Sequence, residues 1–222
     1  RVICGTELTS KASGYGHSRS INCIAAINKK TVVSGGSDGL LKIWDVSSGS
    51  LLKILDSLDS SGVGTIHPWI LCVAVIDKNT LVSGGTGHSL NVWDINSGKL
   101  IRRMMVNGSY APGYCGVGAP YDWIYSVVAI NKKILVSGGV NSLIKIWDIE
   151  SGKEIRTLAG HLSSIFCIAA INEDTIVSGS SDKTLKIWDI NSGEVIQTLI
   201  GHSDQIQCVV VLDKDTIVSG SQ

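Results

Sequence analysis

Thr175-Ile176-Val177-Ser178-Gly179-Ser180-Ser181-Asp182-Lys183-Thr184-Leu185-Lys186-Ile187-Trp188-Asp189 reads as two short β-branched runs around a polar turn. β-Branched and aromatic side chains suit a pleated, half-buried surface, while Ser, Gly and Asp suit the turn, so two antiparallel strands are predicted. Working outward, Cys167-Ile168-Ala169-Ala170-Ile171 adds a strand before this pair. After it, Asn191-Ser192-Gly193 makes a turn into a fourth strand, Glu194 to Leu199.

The unit recurs. Trp-Asp stands at Trp44-Asp45, Trp93-Asp94, Trp147-Asp148 and Trp188-Asp189, in steps of 49, 54 and 41 residues. Each Trp is preceded, 21 residues earlier, by Cys23, Cys72, Ser126 or Cys167 opening a small apolar run, and a fifth run opens at Cys208. A four-stranded unit that is apolar on both faces cannot bury itself, so neighbouring units must stack face to face. The prediction is an all-β propeller of four-stranded antiparallel blades, with no helix.

Composition narrows the function. The 222 residues are 44% hydrophobic and 17% charged, with 19 basic against 19 acidic side chains, which excludes a disordered chain and argues against nucleic-acid binding by bulk charge. The longest apolar run, Trp69 to Ile76, falls far short of the roughly 18 residues of a membrane span. No charged segment leading into a long apolar run opens the chain, which begins at Arg1, and we expect that end to be processed or cut.

Gly-His at 16–17, 160–161 and 201–202, with the four Trp-Asp pairs, resembles the WD40-repeat β-propeller family over nearly the whole chain. One domain over 1–222 is expected, with blades at about 17–58, 66–106, 120–159 and 161–200 and a partial blade over 202–222 with 1–16. The fifth unit stops before its third strand. Arg1-Val2-Ile3 aligns with Lys186-Ile187-Trp188 by its distance from the following histidine, so residues 1–16 could close a ring of about five blades, Glu7 to Ser10 forming the last strand. The alternative is a piece of a larger, seven-bladed propeller.

His161, Ser178 and Asp182 imitate a hydrolase triad in residue type, yet the set recurs as His17, Ser34 and Asp38 with Trp44. Repetition argues against catalysis. The resemblance implies instead a structural hydrogen-bond network that ends on the indole of Trp44 or Trp188, and a non-enzymatic protein. Blade two has Ile66 and Gly87 at the His and Asp positions, with His67 adjacent, and blade three has Pro120 and Asn141, so their networks are expected to be incomplete.

Cys23, Cys72, Cys167 and Cys208 share one repeat position and read as small buried hydrophobes; only Cys4 and Cys115 stand outside the pattern. No spacing suggests a metal site and no motif a cofactor, so neither is expected, and a reducing, cytoplasmic setting is favoured.

Two units exceed 41 residues through insertions between blades, roughly Ser57 to Pro68 and Asn107 to Asp122, the latter with Tyr110, Tyr114 and Tyr121. The resemblance places these connections on a top, partner-binding face. It also assigns top-face contact to the third and fifth positions beyond the Gly-His histidine. These are Ser20 and Asn22, Trp69 and Leu71, Trp123 and Tyr125, Ser164 and Phe166, and Gln205 and Gln207. Both tryptophans not followed by Asp fall in the same slot. The expected function is an interaction scaffold, monomeric or within a larger complex, for a protein or peptide partner rather than nucleic acid. Trp69, Trp123 and Tyr125 are its exposed anchors. The short link Ile27-Asn28-Lys29-Lys30-Thr31 resembles those of F-box-type WD40 substrate receptors, giving substrate recognition in a ubiquitin ligase as an alternative. A glycan- or small-molecule-binding propeller is another.

Overall fold

Each predicted unit forms one antiparallel sheet in the computed structural model, which describes residues 16–56, 68–106 and 122–222. Blade one comprises β1 (Ile21–Ala26), β2 (Thr31–Gly36), β3 (Leu41–Asp45) and β4 (Leu51–Leu55). Blade two comprises β5 (Ile70–Val75), β6 (Thr80–Gly85), β7 (Ser89–Asp94) and β8 (Leu100–Met105). Blade three follows with β9 (Ile124–Ala129), β10 (Ile134–Gly139), β11 (Leu143–Asp148) and β12 (Glu154–Ala159). Blade four has β13 (Ile165–Ala170), β14 (Thr175–Ser180), β15 (Thr184–Asp189) and β16 (Val195–Ile200). A hairpin of β17 (Ile206–Asp213) and β18 (Thr216–Ser221) begins a fifth blade. The described residues contain no helix, hence none long and apolar enough to cross a membrane.

First strands pack on first strands in the order β1, β5, β9, β13, β17, so they are the inner strands of the stack. Each interface holds its own apolar cluster, and in blades two, three and four the Trp of the Trp-Asp pair packs into the interface with the preceding blade. Trp93 lies with Val33, Leu41 and Leu55 of blade one, and Trp188 with Val136, Ile146 and Leu158 of blade three. A Cβ on Gly35 would lie 2.6 Å from Ile70 Cγ2, on Gly138 2.9 Å from Ile165 Cγ2, and on Gly179 2.6 Å from Ile206 Cγ2. These glycines let the isoleucine of the next blade seat against the second strand.

Two expectations change. The fourth strand of blade four is Val195–Ile200 rather than Glu194 to Leu199. Cys72 and Cys167 are buried and Cys23 is partly so, but Cys208 is exposed. In the inner blades the isoleucine of the following blade covers this position, and among the described residues nothing covers the last hairpin, whose Val210, Leu212 and Val218 are also exposed. Residues proposed for ring closure, Arg1 to Ser10, lie outside the described residues.

Register breaks at the same point of every first strand. Ile21 pairs with Gly36 and Cys23 with Gly35, leaving Asn22 as the extra residue of a β-bulge. The same step leaves out Leu71, Tyr125, Phe166 and Gln207. A bulge bends the strand and re-aims the unpaired residue.

Candidate functional site

Beneath the top loops lies a polar chain. In all four blades the indole Nε1 donates to the serine of the second strand: Trp44 to Ser34 at 2.8 Å, Trp93 to Ser83 at 2.9 Å, Trp147 to Ser137 at 2.9 Å and Trp188 to Ser178 at 2.8 Å. Blades one and four extend it. His161 Nε2 lies 2.7 Å from Ser178 Oγ and its Nδ1 2.7 Å from Asp182, while His17 bridges Ser34 and Asp38 at 2.8 Å each. His202 reaches Ser219 at 2.8 Å in the last hairpin.

One proton arrangement satisfies every group. The carboxylate only accepts, so it takes Nδ1–H; Nε2 then accepts the serine hydroxyl, whose oxygen takes the indole N–H. The imidazole is therefore neutral. Burial pushes the pKa of His161 below its ordinary value against the opposing pull of Asp182. Burial alone would raise Asp182, but hydrogen bonds from Thr184, Leu162 and His161 hold it down to about 2. Asp182 also pins the loop and the tight turn, accepting the amides of Leu162 at 2.9 Å and Thr184 at 3.0 Å. Ser178 is 0% exposed, its oxygen occupied by the indole, and His161 is 6% exposed, so no substrate carbonyl reaches this hydroxyl. The arrangement is structural.

Blades two and three close differently. Ile66, His67 and Pro120 lie outside the described residues, and Gly87 offers no carboxylate. In blade three Asn141 Nδ2 donates to Asp122 Oδ1 at 3.3 Å, and Asn141 Oδ1 accepts the Leu143 amide at 3.2 Å. Part of the duty of Asp182 thus falls to a pair. Buried Asp122 was not singled out in the sequence; its only signal is an acid two residues past the histidine slot.

Above this layer sits the rim. The carbonyls of Ser20, Trp69, Trp123, Ser164 and Gln205 accept the amides of Ser37, Thr86, Val140, Ser181 and Gln222 at 2.8, 3.0, 3.0, 2.9 and 3.3 Å. One backbone bond therefore sets the same slot in five blades. Carbonyl approach is tightest in blades two and three, where a Cβ on Gly85 or Gly139 would lie 1.8 Å from the oxygen of Trp69 or Trp123. Two residues later comes the bulge residue, so each blade presents a rim slot and a bulge slot side by side.

Aromatic residues fill these slots unevenly. Trp123 meets Tyr125 edge-on at 6.2 Å between centroids, and Tyr125 meets Phe166 of blade four at 5.2 Å. Together they form one row across two blades. Trp69 is 41% exposed, whereas Trp123 and Tyr125, expected to be open, are half-buried because the three rings cover each other's edges. Leu71, Phe166, Ser164 and Gln205 are also half-buried. Exposed Asn22 donates to Ile70 O at 2.8 Å and to Ser37 Oγ at 3.0 Å, and Ser164 Oγ donates to Val140 O at 3.3 Å, so both tie neighbouring blades together. Tyr110, Tyr114 and Tyr121 of the second insertion lie outside the described residues. Among the described residues no three His, Cys, Asp or Glu side chains gather as metal ligands would.

A stack of four-stranded antiparallel blades whose first strands pack on one another defines a β-propeller. Two of its repeats match the family model described as WD domain, G-beta repeat, over residues 8–45 and 152–189. The fold is shared with the solved structure of U3-55K, at TM-score 0.78 and 21% identity over 93% of this chain and 59% of that one. It is shared with the RRP9 WD40 repeats at TM-score 0.77 and 20% identity, covering 92% and 58%, and with the WD40 β-propeller domain of Doa1 at 0.75 and 22%, covering 93% and 62%. The chain thus spans about three fifths of each of these structures. No curated protein matches it in sequence. WD40 propellers are typically non-catalytic scaffolds for protein interactions.

Proposed function

We propose that this chain is a non-enzymatic platform whose top face, from blade two to blade four, docks a protein or peptide partner. The observation that carries this reading is the aromatic row Trp123, Tyr125 and Phe166, held on rim and bulge slots, with Trp69 on the neighbouring blade in the same rim slot. Trp and Tyr dominate binding hot spots, and partly wet aromatics at a rim mark an interaction surface. The bulges support it further, since they turn five side chains out of the strand alternation at one end of the blades. The four described cysteines are unpaired, which supports a cytoplasmic setting.

Peptides selected from a random library on the wild-type chain provide the test. Changing Trp69 and Trp123 together to Ala should weaken their binding by more than about 2 kcal/mol and leave the melting temperature nearly unchanged. Early unfolding of the double variant, or unchanged affinity, overturns the assignment.

A further inference from the structure

At the end of the blades opposite the rim, the charge of the protein changes sign between two neighbouring blades. The link between first and second strands lies there beside the turn that follows Trp-Asp. Val46, Ile95, Ile149 and Ile190 donate their amides to the carbonyls of Lys30, Asn79, Lys133 and Asp174 at 2.8, 2.7, 2.8 and 2.9 Å. Neighbouring blades meet at this end as well. Lys53 of β4 donates to Ile95 O at 3.1 Å, Arg102 of β8 to Ser151 O at 3.2 Å and Arg156 of β12 to Ser192 O at 2.9 Å, each reaching the turn of the next blade. Lys132 of the blade three link stands 3.9 Å from Asp77 of the blade two link. Links and turns therefore form one continuous lower face.

Three slots of each blade open on this face: the two residues after the Asn or Asp that starts the link, and the residue after the glycine of the turn. Blade three fills them with Lys132, Lys133 and Lys153, and blade four with Glu173, Asp174 and Glu194. All six are exposed. Three cations thus face water on one side of a seam and three anions in the same positions on the other. The neighbours extend the split, since blade one adds Lys29 and Lys30, blade two adds Lys78 and Lys99, and the last hairpin sets Asp213 and Asp215 around Lys214. Asp45, Asp94, Asp148 and Asp189 are common to the blades, and Asp77 and Glu154 are turned to Lys132 and Lys145. Among the described residues Glu150 is the one further acid on the basic side.

We infer that the lower face joins two copies of this chain about a two-fold axis lying in the face, along the seam between blades three and four. A two-fold contact is isologous, so whatever blade three of one copy offers, blade four of the other must accept, and the reverse. A half-turn about the seam lays Lys132, Lys133 and Lys153 of each copy over Glu173, Asp174 and Glu194 of the other. It also lays Lys78 and Lys99 over Asp213 and Asp215. The match is in number, slot and sign, which a second copy supplies by construction. With 19 basic and 19 acidic side chains, no overall charge opposes the association. The rim lies at the other end of the blades, so such a dimer turns both aromatic rows outward.

Sedimentation equilibrium of the full chain and of two charge variants tests this. A dimer is expected whose Kd rises at least about tenfold from about 0.01 M to about 1 M salt, as screening shortens from about 30 Å to about 3 Å. Lys133→Glu with Lys153→Glu makes both sides of the seam acidic, and Glu173→Lys with Glu194→Lys makes both basic. Each double variant should raise the dimer Kd about a hundredfold, because like charges then face each other. Both should keep the urea midpoint, since all four side chains are exposed. An equal mixture of the two variants should recover the wild-type Kd as a heterodimer. A chain that is monomeric at every ionic strength, a dimer indifferent to the reversals, or a mixture that fails to associate overturns the inference.

Discussion

Blades three and four share strand register and a Trp–Ser bond, yet they finish their upper ends with different materials. Blade four closes with Asp182, His161 and Ser178 in one line of hydrogen bonds and carries Ser164 at the rim. Blade three closes with Asp122 and Asn141, carries Trp123 at the rim, and is entered through the longest connection in the chain. Blade two follows blade three, with Gly87 for the acid and Trp69 at the rim. The contrast teaches that the polar line and the aromatic rim are alternatives in this protein. Where Gly87 or Asn141 replaces the acid of the tight turn, the backbone of the rim residue lies against a glycine and a large ring is presented.

The comparison breaks first at the tryptophans. Trp188→Ala and Trp147→Ala should each cost about 3–5 kcal/mol as large buried aromatics. Trp188 should cost about 1 kcal/mol more, because its loss takes the donor from Ser178 at the end of a buried hydrogen-bonded line, whereas among the described residues Ser137 has no histidine behind it. Equal midpoints and slopes in urea would show that the polar line adds nothing to blade four.

Next in size is the acid itself. Asp182→Ala should cost about 1–3 kcal/mol by stranding a buried histidine nitrogen and two amides, and Asn141→Ala less, since Asn141 anchors a weaker pair. The pH dependence sharpens this. His161 has a folded pKa below its ordinary value, so the unfolded chain binds its proton first and stability falls as pH drops below about 6.5. Asp182 adds stability above its unfolded pKa of 3.8 that is lost as pH falls from there toward about 2. Thermal melts from pH 8 to pH 2 should show both steps, and Asp182→Ala should lose the lower one and enlarge the upper one, because Asp182 holds the pKa of His161 up against burial. A profile identical to that of the wild type would sever the acid from the imidazole.

The smallest expected effect concerns the tight turns beside these groups. Blade one places Gly39 at φ 76°, while blade three places Ser142 at φ 58°. Ser142→Gly should gain about 0.5 kcal/mol, the left-handed strain of a side chain slightly outweighing the extra entropy of glycine in the unfolded state. A loss of stability in urea would show that the Ser142 side chain holds the turn.

The sequence disclosed whatever repeats at a fixed distance along the chain. The Trp-Asp spacing led to the blades, and the shared distances of Ser34, His17 and Asp38 from Trp44 led to the polar line. Bulges were not legible, because an extra residue in a strand changes neither its composition nor its length enough to notice. The side chain of Asn22 was assigned to partner contact, and its bond to Ile70 became visible only once the blades were stacked. Lys53, Arg102 and Arg156 read as scattered solvated charges for the same reason: their acceptors lie 36 to 49 residues away, across an interface no local pattern encodes.

Gly35, Gly84, Gly138 and Gly179, against which the isoleucine of the following blade seats, give the four joints among the described residues one shared contact. A unit copied whole by gene duplication brings its own glycine for the unit after it and its own isoleucine for the unit before it. Such an array grows or shrinks by whole units without inventing a new contact, and a faulty glycine loosens one joint while the rest of the stack keeps its pitch.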